Sequence, residues 1–174
     1  MNGENQKNWL KQEQDNRRVF IDTLCELAEQ DKDIVFIIAD VGFNYAEKFQ
    51  KLYPDRYFNF GVTEASSMII TAALALSGKK PYFYSMINFA TLRVHEMIRN
   101  AICMHKAPVK ILGIKGSEGY KFLGFSHNLL WETEEIDWLK KLPGMKCYLP
   151  KSNKEVKKVI LETYKSNLPC YIRL

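Results

Sequence analysis

The sequence has no apolar run approaching the roughly 20 residues that a membrane-spanning helix needs, so a membrane protein is not expected. Its cysteines are scattered: Cys25, Cys103, Cys147 and Cys170 form no CxxC pair, and each lies in an apolar segment. That pattern reads as buried free thiols in preference to metal ligands. There is no basic stripe with interleaved aromatics, and the formal charge of +5 is spread over lysines with acidic neighbours, so no nucleic-acid surface is expected. No glycine-rich loop follows the first β-branched run, which argues against a flavodoxin-like nucleotide-binding reading. Repeats, low-complexity tracts and linkers are missing too, and 174 residues suffice for one domain with a real core but not for two of ordinary size. The start of the chain, MNGENQKNWLKQEQDNRR, is polar and lacks the apolar centre of a secretory signal, so the expected location is cytoplasmic. Residues 1–15 read as a polar leader and 16–174 as the domain.

What is present is an alternation of two periods. RVFIDTLCELAEQ spaces Val19, Phe20, Leu24, Leu27 and Ala28 as one helical face, and IVFIIAD is a short unbroken β-branched run, as in a strand covered on both sides. The pattern repeats: AEKFQKLY helix, RYFNF strand, EASSMIITAALALSG helix, KPYFYSM strand, TLRVHEMIRNAICMH helix, VKILGIK strand, TEEIDWLKKL helix, KCYLP strand, NKEVKKVILETYKS helix, PCYIRL strand. Strands separated by helices require crossovers, which are right-handed and give a mostly parallel sheet between two helical layers. The expectation is a three-layer α/β/α sandwich with about six strands. The long irregular segment GSEGYKFLGFSHNLLWE follows a strand, at the sheet edge where such folds bind ligands.

Two ionisable residues fall on that edge. Glu64 opens an otherwise small and apolar helix, and His127 lies in the long loop. Taken singly, Glu64 reads as a first-turn carboxylate favoured by the helix dipole, with Thr63 as the cap, and His127 as a solvated loop histidine.

Their neighbours weigh against taking them singly. RYFNFGVTEASSMIITAALALSGKKPYFYSMINFATLRVHEMIRNAI resembles the pyrimidine-binding domain of transketolase-like thiamine diphosphate enzymes: arginine, short strand, Gly-x-x-Glu, small-residue helix, Gly, Pro, strand, aromatic. The resemblance extends to FIIADVG, to GFSHNLLWETEEIDWLKKLPGMKCYLP and to the terminal LPCYIRL, nearly the whole chain after about residue 15. It implies the thiamine diphosphate-binding fold, with Glu64 hydrogen-bonded to N1′ of the cofactor's aminopyrimidine and so helping to activate the cofactor. A carboxyl in that role donates a proton part of the time, and apolar surroundings favour the neutral form. Phe89 matches the aromatic that stacks on the pyrimidine, with Ile87 nearby in an alternative register. His127 matches a histidine that faces the substrate oxygen. Asp40 matches an aspartate that helps hold the cofactor, and reads equally well as a turn residue. Arg17 aligns with an arginine that binds sugar phosphate, in competition with Arg18.

The departures from the family set further expectations. Ala65 replaces a common glutamine after Glu64, and the loop before His127 lacks the family's acidic residues, which leaves the sugar or oxo acid substrate open. The Gly-Asp-Gly…Asn motif that holds magnesium and diphosphate is missing, as is the family's C-terminal domain. By the resemblance, the partner is a separate diphosphate-binding subunit carrying Mg2+, in an assembly such as an α2β2 heterotetramer. The reaction implied is transfer of a two-carbon ketol unit from a ketose to an aldehyde. The rivals are a 2-oxo acid decarboxylase, dehydrogenase or synthase subunit and a non-catalytic partner that keeps the fold.

Overall fold

The computed structural model of the protein describes residues 15–115 and 118–174, the side chains of 118–121 aside. Residues 1–14 of the expected leader lie outside the described residues. Asp15 is the N-cap of the first helix, its carboxylate accepting from the Arg17 amide.

Six strands form one sheet: β1 (Ile34–Ile38), β2 (Tyr57–Asn59), β3 (Lys80–Met86), β4 (Lys110–Ile114), β5 (Lys146–Tyr148) and β6 (Cys170–Arg173). Their order is β2-β1-β3-β4-β6-β5, and every pairing is parallel. All five residues of β1 and of β4 are buried, because helices cover both faces. Alternate residues serve opposite cores. Phe36 and Ile38 pack with α1 (Asn16–Gln30), α2 (Glu47–Leu52) and α7 (Asn153–Tyr164). Val35 and Ile37 pack with α3 (Glu64–Leu76), α6 (Glu134–Leu139) and the helical segment after β3. The three-layer α/β/α sandwich expected from the two periods is present. No helix among the described residues is long and apolar enough to cross a membrane.

Two elements differ from their sequence reading. RYFNF pairs only over Tyr57–Asn59, a short and partly exposed edge strand. It is anchored from the preceding turn by Arg56, which donates to the Asp31 and Ala28 carbonyls. TLRVHEMIRNAICMH is not one helix. A four-residue α4 (Ile87–Ala90) follows β3 directly, and at Thr91 (φ −131°, ψ −75°) the chain leaves helical geometry. The buried Thr91 hydroxyl donates to the Ile87 carbonyl at 2.6 Å, closing that turn with a side chain. A 3₁₀ turn (Leu92–Val94), α5 (His95–Met97) and a π-helical segment (Ile98–Cys103) complete the crossover. The wider π turn sets residues five apart on one face, so Ile98 and Cys103 both reach the core.

Cys25, Cys103 and Cys170 are buried and Cys147 half-buried, all as free thiols. Burial pushes Cys25, Cys103 and Cys147 up to about 11 and Cys170 to about 12, so none is a ready thiolate.

Candidate functional site

After β1 the chain turns toward one side of the sheet to form β2, and β3 then lies on the other side of β1. The strand order therefore reverses beside β1, and in parallel sheets the crevice at the carboxyl ends of the strands at such a point takes ligands. A cleft of about 480 Å3 opens there, with Arg17, Asp40, Glu64, Phe89, Arg93 and His127 in its walls. Gly42 (φ +92°) gives the turn after β1 a left-handed conformation, and a Cβ there would come within 3.1 Å of the Tyr84 ring in the same cleft.

Glu64 is 3% exposed at the first position of α3. Thr63 holds the N-cap position, but its hydroxyl donates to the Phe60 carbonyl at 2.9 Å and caps no helix amide. The carboxylate of Glu64 instead accepts from Arg93 Nη1 at 2.9 Å. Arg93 was not singled out by sequence reasoning. Its position four residues after Phe89 was the one signal, since such residues are neighbours on a helix.

The Arg93 guanidinium carbon lies 3.8 Å from the Phe89 ring centroid, and the His127 ring packs edge-to-face with the same phenylalanine at 4.8 Å between centroids. Of the two registers, Phe89 lines the cleft, while Ile87 is buried and is not among its lining residues.

His127 is placed by a loop with two ties. Gly124 (φ +65°) reverses the chain between two 3₁₀ turns. The Asn88 amide on α4 donates to the carbonyls of Phe125 (2.8 Å) and Asn128 (3.1 Å), binding this loop to the turn that carries Phe89. Asn88 is a second residue that sequence reasoning missed, because nothing in MINF marks a tie to a loop 37 residues away. Ser126 Oγ lies 3.0 Å from the Leu123 carbonyl and 2.7 Å from His127 Nδ1. A carbonyl only accepts, so the single hydroxyl proton goes to Leu123. Toward His127 Nδ1, Oγ is then the acceptor.

Arg17, not Arg18, lines the cleft. Its guanidinium is held by both oxygens of Asp15 and lies 4.4 Å from the Tyr45 ring centroid. Burial opposes the charge on Asp15, but hydrogen bonds from Arg17 and Tyr45 outweigh it and hold that carboxyl below its usual range. Arg17 thus enters the cleft already paired. Asp40 has φ +54°, its amide donates to Asn59 Oδ1 at 3.0 Å, and it joins the end of β1 to the end of β2 while facing the cleft. Both readings of Asp40 remain compatible with that position.

The sequence matches the family described as "Transketolase, pyrimidine binding domain" over residues 12–174. The chain belongs to this family. It is 34% identical over 159 residues to a subunit of the apulose-4-phosphate transketolase of Phocaeicola vulgatus, covering 91% of this chain and 50% of that protein. It is 31% identical to the 1-deoxy-D-xylulose-5-phosphate synthase of Mycolicibacterium gilvum, over 82% of this chain and 22% of that one. Among solved structures it is similar to a split-gene transketolase described as an inactive β4 tetramer. There the TM-score is 0.79 and the identity 30%, over 91% of this chain and 50% of the other. This pyrimidine-binding domain therefore spans about half the length of the transketolase subunit from Phocaeicola vulgatus.

Proposed function

We propose that this chain is the pyrimidine-binding subunit of a split, thiamine diphosphate-dependent transketolase-like enzyme. A partner subunit supplies the diphosphate and Mg2+ site, in an assembly such as α2β2. The observation that carries the reading is the convergence of a buried carboxylate and an aromatic face in one cleft: Glu64 Oε1 and the Phe89 ring both lie in contact with a single guanidinium. A slot that takes that planar, hydrogen-bond-donating group has the thickness and polarity for an aminopyrimidine, so the residues present fit the cofactor's ring.

Bound there, the cofactor would supply the nucleophilic carbon that ketol transfer needs. The chain's own residues divide the remaining work. Phe89 offers a flat apolar face for the ring, and Glu64 holds a proton at the ring nitrogen N1′. His127, in the cleft wall, exchanges a proton with the substrate oxygen and steadies charge there. Asp40 and Arg17 are both in the cleft wall, where Asp40 would help hold the cofactor and Arg17 would meet a sugar phosphate.

Apolar side chains rim the opening: Phe43 and Val62 in the cleft wall are 69% and 68% exposed, and Phe125 beside the His127 loop is 80% exposed. Such a rim suits a partner that completes the site and buries it. The four free thiols suit a cytoplasmic location. The similarity to a deoxyxylulose-phosphate synthase favours a second reading, a synthase acting on a 2-oxo acid through the same cleft. A panel of ketose and 2-oxo acid donors given to the reconstituted complex separates the two.

The split site itself is tested by titration calorimetry with thiamine diphosphate. The chain alone is expected to bind weakly with or without magnesium, and addition of the diphosphate-binding partner to create a tight, magnesium-dependent site. Micromolar or tighter magnesium-dependent binding by the chain alone would refute the reading.

A further inference from the structure

We propose that Arg93 is a displaceable occupant of the pyrimidine seat: in the free chain its guanidinium holds the place of the cofactor ring against Phe89 and Glu64, and it must swing out before the ring can enter. The inference rests on the cofactor reading above and goes beyond it.

Three observations point this way. The guanidinium carbon sits 3.8 Å from the Phe89 ring centroid, the separation of two stacked planar groups, so the face that a pyrimidine would use is covered. Nη1 donates to Glu64 Oε1 at 2.9 Å, so the carboxylate acts as an acceptor toward the very side from which a ring nitrogen would approach. The side chain is 42% exposed against 4% for Glu64, and among the described residues this is its one hydrogen bond. Arg93 is therefore free to leave into solvent, while Glu64 is not.

A guanidinium imitates the missing ring well, being flat, delocalised and a donor in its own plane. Leaving Glu64 without any partner would strand a buried carboxylate, and Arg93 prevents that until a ring arrives. The arrangement also sets a cost on entry. A half-exposed ion pair and a cation–π contact are each weak, so their joint loss lowers the affinity for the ring by about tenfold, well within reach of a cofactor that is also held by its diphosphate.

The test uses the whole chain and thiamine, which carries the aminopyrimidine without the diphosphate. In nitrogen-labelled wild type, the Arg93 Nε–H resonance is expected to start at a ring-shielded position and to move toward that of a solvated arginine as thiamine is added. Arg93→Met, which keeps the apolar stem, is expected to bind thiamine about tenfold more tightly, and Phe89→Ala to lose binding. Equal or weaker binding by Arg93→Met, or an Arg93 resonance that stays put while Phe89-dependent thiamine binding saturates, would overturn the displacement and leave the cofactor reading intact. Thiamine bound equally by wild type and Phe89→Ala would overturn both. The wild-type resonance decides the question even if a variant folds poorly.

Discussion

Two carboxylate–arginine pairs stand near the carboxyl ends of strands in this domain, and they are built differently. Arg173, at the end of β6, is 8% exposed and fully engaged: Nε donates to Glu135 Oε1, Nη1 to Glu132 Oε1 and Nη2 to the Glu132 carbonyl. Glu135 is wholly buried and accepts from the Tyr171 hydroxyl as well. Among the described residues Arg93 has one hydrogen bond, and it lines the cleft. A buried charge pair in which every guanidinium nitrogen is engaged is a structural tie, because without the arginine the buried Glu135 has lost its counter-charge. A pair that shares one bond at the lip of a cleft costs less to break, and least when a ligand takes the arginine's place at the carboxylate. In both, a buried glutamate is matched by an arginine, but only the cleft pair leaves a carboxylate available to a ligand.

The sharpest way to break this comparison is to neutralise each glutamate's function in turn. Glu64→Gln in the reconstituted complex is expected to keep the fold and much of the cofactor affinity. It should slow hydrogen–deuterium exchange at the cofactor's C2 by about 100- to 10,000-fold, the usual contribution of a general acid–base group. Exchange at the wild-type rate, followed by NMR after acid quench, would leave Glu64 with a helix-end role worth at most about 1 kcal/mol. The same outcome would favour the non-catalytic partner over the enzyme.

Stability separates the arginines. Arg173→Met takes the counter-charge from the wholly buried Glu135 and is expected to cost about 3–5 kcal/mol, whereas Arg93→Met leaves Glu64 without its arginine partner at a cleft open to solvent and is expected to cost less, about 1–3 kcal/mol. Denaturant unfolding of the two variants side by side checks this, and equal losses would mean that the cleft pair is as structural as the buried one. The smallest effect concerns the loop between them. Asn88→Ala removes two donors that hold the His127 loop, so a loss of about 1 kcal/mol is expected. Amide exchange should quicken over residues 124–128 with α3 unchanged, and hydrogen exchange read by mass spectrometry would show whether the loop is tied there or elsewhere.

Much of this architecture is legible in the residues. The six strands and their parallel order of crossovers follow from β-branched runs such as IVFII set between helical periods, since a strand buried on both faces has little room for polar side chains. Glu64 stood out because it opens an otherwise small and apolar helix, and Phe89 through the family resemblance, as the aromatic that follows a strand. The crossover after β3 was misread as one helix. Its composition is helical throughout, and the break depends on a Thr91 hydroxyl bonding backward and on a π turn that only packing selects. Asn88 and Arg93 were missed for the same reason: their partners lie 37 and 29 residues away, and no local pattern encodes such distances.

By itself, then, the sequence determined the layer architecture and the edge of the sheet where chemistry is possible, consequences of hydrophobic period, and its resemblance to the family picked out the cleft carboxylate Glu64. The tertiary structure alone decided what stands opposite that carboxylate. The direction of the Arg93 side chain depends on how a broken helical segment is rotated against α3, and that rotation is set by which of its apolar residues the core accepts.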